Sequence, residues 1–511
     1  MTARRDAVWF AALLIGTAVL LALDPPGYFG GRWDDARYLE AALQWVEAPN
    51  LGTVHWSLRW PVVLPAWGAL EAFGRTRFAA MVPGLAAFAA LLIFSYWAAR
   101  RVLGGAAALL ACAMLVTTSE ILFAATRLTA DLPELLFMSV GAWSFILAAR
   151  AGGGAQTRWL IACGVAAGLA FAVRETAASL MVVLGLLWLT GVGVPRRAYL
   201  WIALGFLCVW LPEQLILWHA SGDPLYRLHV DMRHVEVPST NLQGLVAGGS
   251  TPAMNPQMMA RWIGVGPLRI HYLVDPWLNL FLNGRYGLVF LIAGIAVLFA
   301  GRRLRGREGR TVVILAGLAA AHIAFVIYVI ATDPKPRMFM PAILCGCLIA
   351  GVALPLAWRG RTRIVLALLG VAKLVVLLVT IDITAVYKTQ YEELTQRVLA
   401  RVPGPVHADR WTLSTLALAD AATRARLVTG APPPGGFWLT IASLKNAHGD
   451  EKPPQGYSWR VVARAEGPRK PVIVHLAAPL LTPGSKLAAV ARNPTPVATL
   501  WQRVPVSLPA R

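Results

Sequence analysis

The sequence predicts an all-α polytopic membrane protein of about eleven transmembrane helices. Amphipathic helices are expected in its first external loop and a small α/β domain at its C-terminal end. Three observations carry this. The 511 residues are 57% hydrophobic and only 14% charged, with a mean hydropathy of +0.59; soluble domains carry about 25% charged residues. Apolar runs long enough to cross about 30 Å of hydrocarbon recur along most of the chain. Basic residues gather in alternate short loops between those runs.

The apolar runs fall near 7–23, 78–99, 105–124, 130–149, 158–173, 177–194, 199–219, 286–300, 311–331, 338–357 and 363–381. Those at 158–173 and 177–194 are short and could form one interrupted unit. Met1 to Leu23 resembles a signal peptide, with Arg4 and Arg5 before an apolar run. Leu23-Asp24-Pro25-Pro26 offers no small-residue cleavage site, so this stretch reads as an uncleaved first span. The five cysteines all sit in apolar runs, which implies no disulfide framework. Cys345-Gly346-Cys347 lacks zinc spacing and fits small-residue helix packing.

Arg4 and Arg5, Arg100 and Arg101, Arg150 with Arg158, Arg196 and Arg197, the run Arg302 to Arg310, and Arg359 to Arg363 all fall in alternate loops. The positive-inside rule makes that side cytoplasmic. The net charge of +21 therefore belongs to topology, and no nucleic acid is expected as partner. The other side receives the loop 24–77, the turns at 127–131, 174–175 and 332–337, the loop 220–285 and the tail 382–511. The expected place is a bacterial cytoplasmic membrane, with a membrane domain over 1–381 and a soluble external domain over 382–511. That tail has 16 Lys+Arg against 8 Asp+Glu, a balance of +8. Phe437 to Ile441 and Pro471 to Leu476 have strand character.

The chemistry-bearing residues collect on the external side. In the loop 24–77, Asp35 to Trp45 and Leu58 to Phe73 have helical character, rich in Trp, and would lie along the interface. Asp34 and Asp35 open the first of these helices. Ionisable residues at membrane depth default to a functional role, although Asp34 could be only a helix cap. Asp131 and Glu134 are three apart and share a helix face; an Arg127–Asp131 salt bridge is the plainer alternative. Arg174-Glu175 could likewise be an internal ion pair. Lys335 and Arg337 would face the same aqueous pocket or lipid headgroups. Carboxylates can act as general bases, and Arg holds phosphate bidentately. Together they suit group transfer from a lipid-phosphate donor. No Gly-rich phosphate loop, H-E-x-x-H or G-x-S-x-G motif occurs. No cofactor is indicated; a divalent metal at the scattered His219, His229, His234 and His271 stays open.

Trp33-Asp34-Asp35-Ala36-Arg37-Tyr38-Leu39-Glu40-Ala41 resembles the Asp-Glu-x-x-Tyr stretch in the first external loop of GT-C glycosyltransferases. The likeness is to the bacterial branch related to protein O-mannosyltransferases and lipid A aminoarabinose transferases. His55-Trp56-Ser57-Leu58 stands where that branch often has His-Pro-Pro-Leu. Arg127 to Leu135 resembles its Arg-…-Ala-Asp-x-Pro-Leu element, and Gly168 to Glu175 its Gly-Leu-Ala-x-x-x-Lys element. Gly222 to Tyr226 and Arg337 to Pro341 also have counterparts. The likeness covers roughly 1–381; Arg174 replaces the usual Lys, and Asp35 the usual Glu.

The resemblance implies a GT-C-like helical fold, a polyprenyl-phosphate sugar donor, a hydroxyl-bearing acceptor (lipid, glycan or protein) and inverting transfer on the external face. It makes Asp34 and Asp131 the catalytic candidates. Arg174, Arg337 and Arg127 are candidates for the donor phosphate. Asp35, Tyr38, His55, Glu134 and Lys335 are candidates for other substrate contacts. The alternative is a non-catalytic transporter, flippase or ligase. It would place charge mid-span and often show repeats; only Lys373 is deep, and no repeat is visible.

Overall fold

A computed structural model describes residues 3–23, 28, 30, 33–47, 54–232, 274–330, 336–442, 452–467, 472–480 and 497–504. Lys335, His234 and His271 lie outside the described residues. Every predicted apolar run forms a helix. The first is α1 (Ala3–Leu23), followed by the loop helices α2 (Asp34–Glu47), α3 (His55–Leu58) and α4 (Trp60–Phe73). Then come α5 (Arg77–Leu103), α6 (Gly105–Val116), α7 (Ser119–Ala125), α8 (Asp131–Ala148), α9 (Gly153–Val173), α10 (Ala178–Thr190) and α11 (Tyr199–Ser221). The membrane part is completed by α12 (Tyr226–Met232), α13 (Asp275–Leu282), α14 (Gly287–Ala300), α15 (Gly306–Ala324), α16 (Met340–Ala357) and α17 (Gly360–Leu399).

Among the described residues, eight helices are long and apolar enough to cross a membrane, or nine if the bent pair α6–α7 is one span. Of the eleven apolar runs, those at 177–194 and 286–300 form helices shorter than that test requires, α10 and α14. The reason is polar punctuation. α10 begins just after Arg174-Glu175, and α14 sits between Arg285 and Arg302, so its 14 residues reach only about 21 Å. α9, by contrast, is longer than expected at 21 residues.

The helices alternate in direction, and contacts at each end make this checkable. Arg100 pairs with Asp6 at 3.3 Å, joining the end of α5 to the start of α1. At the opposite end Arg174, just past α9, meets Asp131 at the start of α8. The Arg-rich turns after α5, α8, α10, α14 and α16 therefore share one end of the bundle.

Helix contact relies on small residues, because lipid offers no hydrophobic drive for helix association. A Cβ on Gly164 of α9 would lie 2.0 Å from the Ile202 carbonyl oxygen. One on Gly205 of α11 would lie 2.3 Å from that of Ile161. Gly346 and Gly351 do the same work for α16: the first abuts Val289 and Phe290 of α14, the second the Ala107 carbonyl of α6. This is the packing expected of Cys345-Gly346-Cys347.

Lys373 is accounted for by the 73° bend between α6 and α7. Its ammonium donates to the Met114 carbonyl at 3.0 Å and to Thr117 Oγ1 at 2.7 Å. Those groups sit where α6 breaks, and a broken helix in an apolar setting leaves carbonyls that need a donor.

α17 runs unbroken through the expected boundary at 381 and into the tail. The tail holds β1 (Val406–Ala408), α18 (Arg410–Thr415), α19 (Ala421–Ala425), β2 (Leu427–Val428), β3 (Phe437–Ala442), β4 (Ser458–Glu466), α20 (Val472–Leu476) and β5 (Val497–Val504). The sheet order is β2-β1-β3-β5-β4, parallel among the first three strands and antiparallel at β3–β5 and β5–β4. Its core of Val406, Leu439, Ile441, Ala498 and Leu500 packs on Leu394 and Val398 of α17. Phe437–Ile441 is a strand as expected. Val472–Leu476 is instead a helix, its first amides at 3.0 and 2.8 Å from the Asp382 carboxylate, which caps it.

Gly164→Leu would force α9 and α11 apart, at a cost of at least about 1–3 kcal/mol. The expected result is a lower unfolding temperature of the detergent-solubilised protein, with Gly294→Leu, which has open space around it, nearly neutral.

Candidate functional site

The site forms where the chain leaves its apolar helices. Asp34 is the first helical residue of α2, where the positive end of the helix dipole favours a carboxylate. Asp131 opens α8 in the same way. Arg174 follows α9 in extended backbone, before a 3₁₀ turn over Glu175–Ala177. Arg337 lies in the 3₁₀ turn Pro336–Phe339 that leads into α16.

These four residues make one ion-pair chain. Arg337 Nη2 is 2.6 Å from Asp34 Oδ2, and its Nε is 4.0 Å from Asp131 Oδ1. Arg174 Nη1 donates to Asp131 Oδ1 at 2.8 Å and to Glu134 Oε2 at 3.1 Å. Thr176 donates to the other Glu134 oxygen. The two alternatives of local pairing, Arg127 with Asp131 and Arg174 with Glu175, are not what forms. Burial works against the Arg174 charge, but Asp131 and Glu134 raise its pKa well above the usual guanidinium value.

Accessibility separates the members. The side chains of Asp34 and Arg337 are 23% and 19% exposed, whereas those of Asp131 and Arg174 are 4% and 8% exposed. Asp35 is fully buried, 3.4 Å from Arg127 Nη2. Arg127 in turn lies against the rings of Trp33 and Phe123, with 5.3 and 4.8 Å to their centroids. Arg127 is thus matched to Asp35 and not to the Asp34–Asp131 group. Glu134 is buried on the Arg174 side. His55 is buried, its ring tilted against that of Trp56 with 3.7 Å between centroids.

A second group of charges adjoins the first through Tyr38. The buried Tyr38 hydroxyl accepts from Arg59 Nη1 at 2.8 Å, and Arg59 Nη2 donates to Glu175 at 3.1 Å. Burial raises the Tyr38 pKa against the pull of Arg59 and Arg174. Arg227 of α12 pairs with Glu213 and lies 3.6 Å from Glu175 and 3.7 Å from Asp231. Burial, then the Glu175 carboxylate beside it, push the Asp231 carboxyl upward. Among the described residues no three His, Cys, Asp or Glu side chains come together as a metal-ligand set.

Sequence reasoning passed over Arg59, Glu213, Asp231 and His322. A signal existed for most of them: Arg59, Glu213 and His322 are each the one ionisable residue in a mainly apolar stretch. His322 fastens the site from behind. Its Nε2 is 2.8 Å from the Met338 carbonyl, which can only accept, so Nε2 carries the proton and Nδ1 accepts from Ser179 Oγ at 2.8 Å. One imidazole thereby spaces the turn holding Arg337 from the helix that follows Arg174.

A model of the dolichyl-phosphate-mannose-protein mannosyltransferase family matches residues 62–216. No curated protein matches the chain in sequence. Among solved structures, the chain resembles ArnT from Cupriavidus metallidurans bound to undecaprenyl phosphate, with a TM-score of 0.57 and 16% identity over 90% of this chain and 97% of that one. The same protein in its apo state gives 0.53 and 16% over 91% and 97%. The archaeal oligosaccharyltransferase AglB from Archaeoglobus fulgidus, in complex with an inhibitory peptide and a dolichol-phosphate, gives 0.51 and 11% over 81% and 65%. At such identities the likeness establishes the fold.

Arg174→Met should destabilise the protein by about 3–5 kcal/mol, because it strands two buried carboxylates. Thermal unfolding in detergent reads this. Adding Asp131→Asn and Glu134→Gln to the same protein should recover at least half of the loss.

Proposed function

We propose that this chain, which has the GT-C fold in its ArnT-like form, transfers a sugar from a polyprenyl-phosphate donor to a hydroxyl acceptor by inversion. The observation that carries the reading is the chain Asp34–Arg337–Asp131–Arg174, with its accessible end at Asp34. The lipid phosphates in the ArnT and AglB complexes support a lipid-linked donor. The site lies at the end of the bundle away from the Arg-rich turns, which by the positive-inside rule is the external face.

In this reading the donor phosphate takes Arg337 from Asp34. Arg offers a planar fork that holds two phosphate oxygens at once. Asp34 is then free to accept the proton of the acceptor hydroxyl. The acceptor oxygen forms a bond to the anomeric carbon as the bond from that carbon to the phosphate oxygen breaks. The electron pair leaves with the phosphate, whose charge Arg337 balances. Asp131 and Arg174 remain as the buried, mutually neutralised base on which Arg337 rests. Asp35 keeps Arg127 in place and has no contact with the reactants.

The transporter alternative loses its one supporting residue, since Lys373 is engaged at the α6–α7 bend.

Purified protein assayed with a panel of radiolabelled polyprenyl-phosphate sugars tests the reading. Asp34→Asn should slow transfer by about 10²–10⁴-fold. Arg337→Gln should raise the donor KM by at least about tenfold. Equal rates for Asp34→Asn and the unaltered protein would remove Asp34 from the chemistry, and a product of retained anomeric configuration would exclude single displacement.

A further inference from the structure

At the end of the bundle opposite the charged site, basic residues stand without acidic ones. No Asp or Glu occurs between Glu134 and Glu175, or between Glu175 and Glu213. Arg150, Arg158, Arg196 and Arg197 nevertheless gather in and beside the turns of this end. A cavity of about 530 Å³ opens there between the start of α9 and the start of α11. Its lining includes Gln156, Arg197, Leu200, Trp201 and Leu204.

The two adjacent arginines of the α10–α11 turn are used differently. Arg196 closes the end of α10: its Nε donates to the Trp188 carbonyl at 3.2 Å and its Nη2 to the Leu189 carbonyl at 2.8 Å. The Tyr199 hydroxyl donates to the Val192 carbonyl at 3.2 Å, which also holds the turn. Arg197 meets no acceptor among the described residues, and its exposed side chain lines the cavity. Gln156 commits its amide nitrogen to the Ala148 and Ala151 carbonyls at 3.2 and 3.4 Å, which leaves its Oε1 as an acceptor. Leu200, Trp201 and Leu204 are 72%, 43% and 46% exposed, on a helix apolar enough to cross the membrane. At about 1.5 Å per residue, Leu204 lies about 10 Å further into the span than Arg197.

We propose that this cavity holds an anionic phospholipid from the leaflet at the Arg-rich end, which the positive-inside rule makes the inner one. Going into the membrane, the lining passes from a guanidinium to an indole to leucine side chains. A phospholipid presents its phosphate, its glycerol esters and its acyl chains in the matching order. The forked guanidinium pairs with phosphate oxygens, and Trp favours the headgroup level. Charge selects among headgroups. Arginines at a membrane surface attract anionic lipid, and no carboxylate in these two stretches offsets them. A choline or ethanolamine headgroup would bring its own cation against Arg197. The free Oε1 of Gln156 suits a headgroup hydroxyl, as in phosphatidylglycerol. A soluble phosphate is the poorer fit, because it would leave Trp201 and the leucines uncovered. The bound lipid would bridge α9 and α11, the pair that packs through Gly164 and Gly205.

Native mass spectrometry of the delipidated full-length protein in detergent tests this with three probes: phosphatidylglycerol, phosphatidylcholine of the same chains, and soluble glycerol 3-phosphate. The first phosphatidylglycerol should bind at least about tenfold more tightly than phosphatidylcholine. Glycerol 3-phosphate should not displace it. Arg197→Gln should weaken that first phosphatidylglycerol by at least about tenfold, and Trp201→Ala by at least about threefold. Both positions are exposed, so the unfolding temperature without added lipid should stay unchanged. Arg305→Gln, which removes an exposed arginine from another turn of the same end, should leave the binding as it is. Equal binding of the two lipids, binding indifferent to Arg197→Gln and Trp201→Ala, or an equal loss from Arg305→Gln overturns the site. Displacement of the lipid by glycerol 3-phosphate at equal concentration overturns its assignment to a lipid.

Discussion

The contact between Arg174 and Asp131 sits where apolar helices end, in surroundings where an unpaired charge costs several kcal/mol. Each of these side chains is less than a tenth exposed, so neither can shed its charge cost into water. Their pairing draws two separate parts of the sequence, the start of α8 and the end of α9, to one point. Glu134 and Thr176 complete the set because the remaining hydrogen-bonding capacity of the guanidinium and carboxylates must also be met. Arg337 is then placed between this neutralised base and Asp34. The more exposed pair inherits its position from the buried one, and that gradient of exposure leaves Asp34 the more accessible of the two aspartates.

The scaffold that holds these ends level is built on closeness. Gly164 and Gly205 let α9 and α11 touch backbone to backbone, and Gly346 and Gly351 let α16 fit between α14 and α6. Such contacts depend on shape, and shape fixes the height at which each helix ends. His322 adds a polar tie at the site end, and Lys373 closes the bend of α6–α7. Each of these otherwise costly polar groups in the helices repairs a backbone or side-chain acceptor that the helical geometry leaves unmet. The tail, held through Tyr28 and Gly30, forms one wall of a cleft along α2.

Much of this was legible from the chain. The apolar runs became helices because length and hydropathy leave little alternative in lipid. Asp34, Asp131, Arg174 and Arg337 were singled out by charge at the ends of apolar runs, and they do come together. Arg127 and Asp35 were singled out by the same rule and instead form an ion pair of their own. A charge pattern along the sequence does not record which partner lies nearest in space. Arg59, Glu213 and His322 were overlooked although each is the one ionisable residue in a mainly apolar stretch, because no local motif surrounds them. In the tail, Val472–Leu476 reads as a strand by β-branched content, yet the Asp382 carboxylate, 90 residues earlier in the chain, accepts its first amides and turns it into a helix.

By itself the sequence determined the helical membrane class, the alternation of the basic turns and the residue types available for chemistry. These follow from transfer energies and periodicity, which act residue by residue. Only the tertiary structure decided how those charges are shared. It set Arg337 on Asp34 and Arg174 on Asp131, gave Arg127 to Asp35, and opened a cleft between α2 and the tail. The reason is that ion pairing and packing depend on distances of a few ångströms between residues far apart in the chain, and no periodicity encodes such distances.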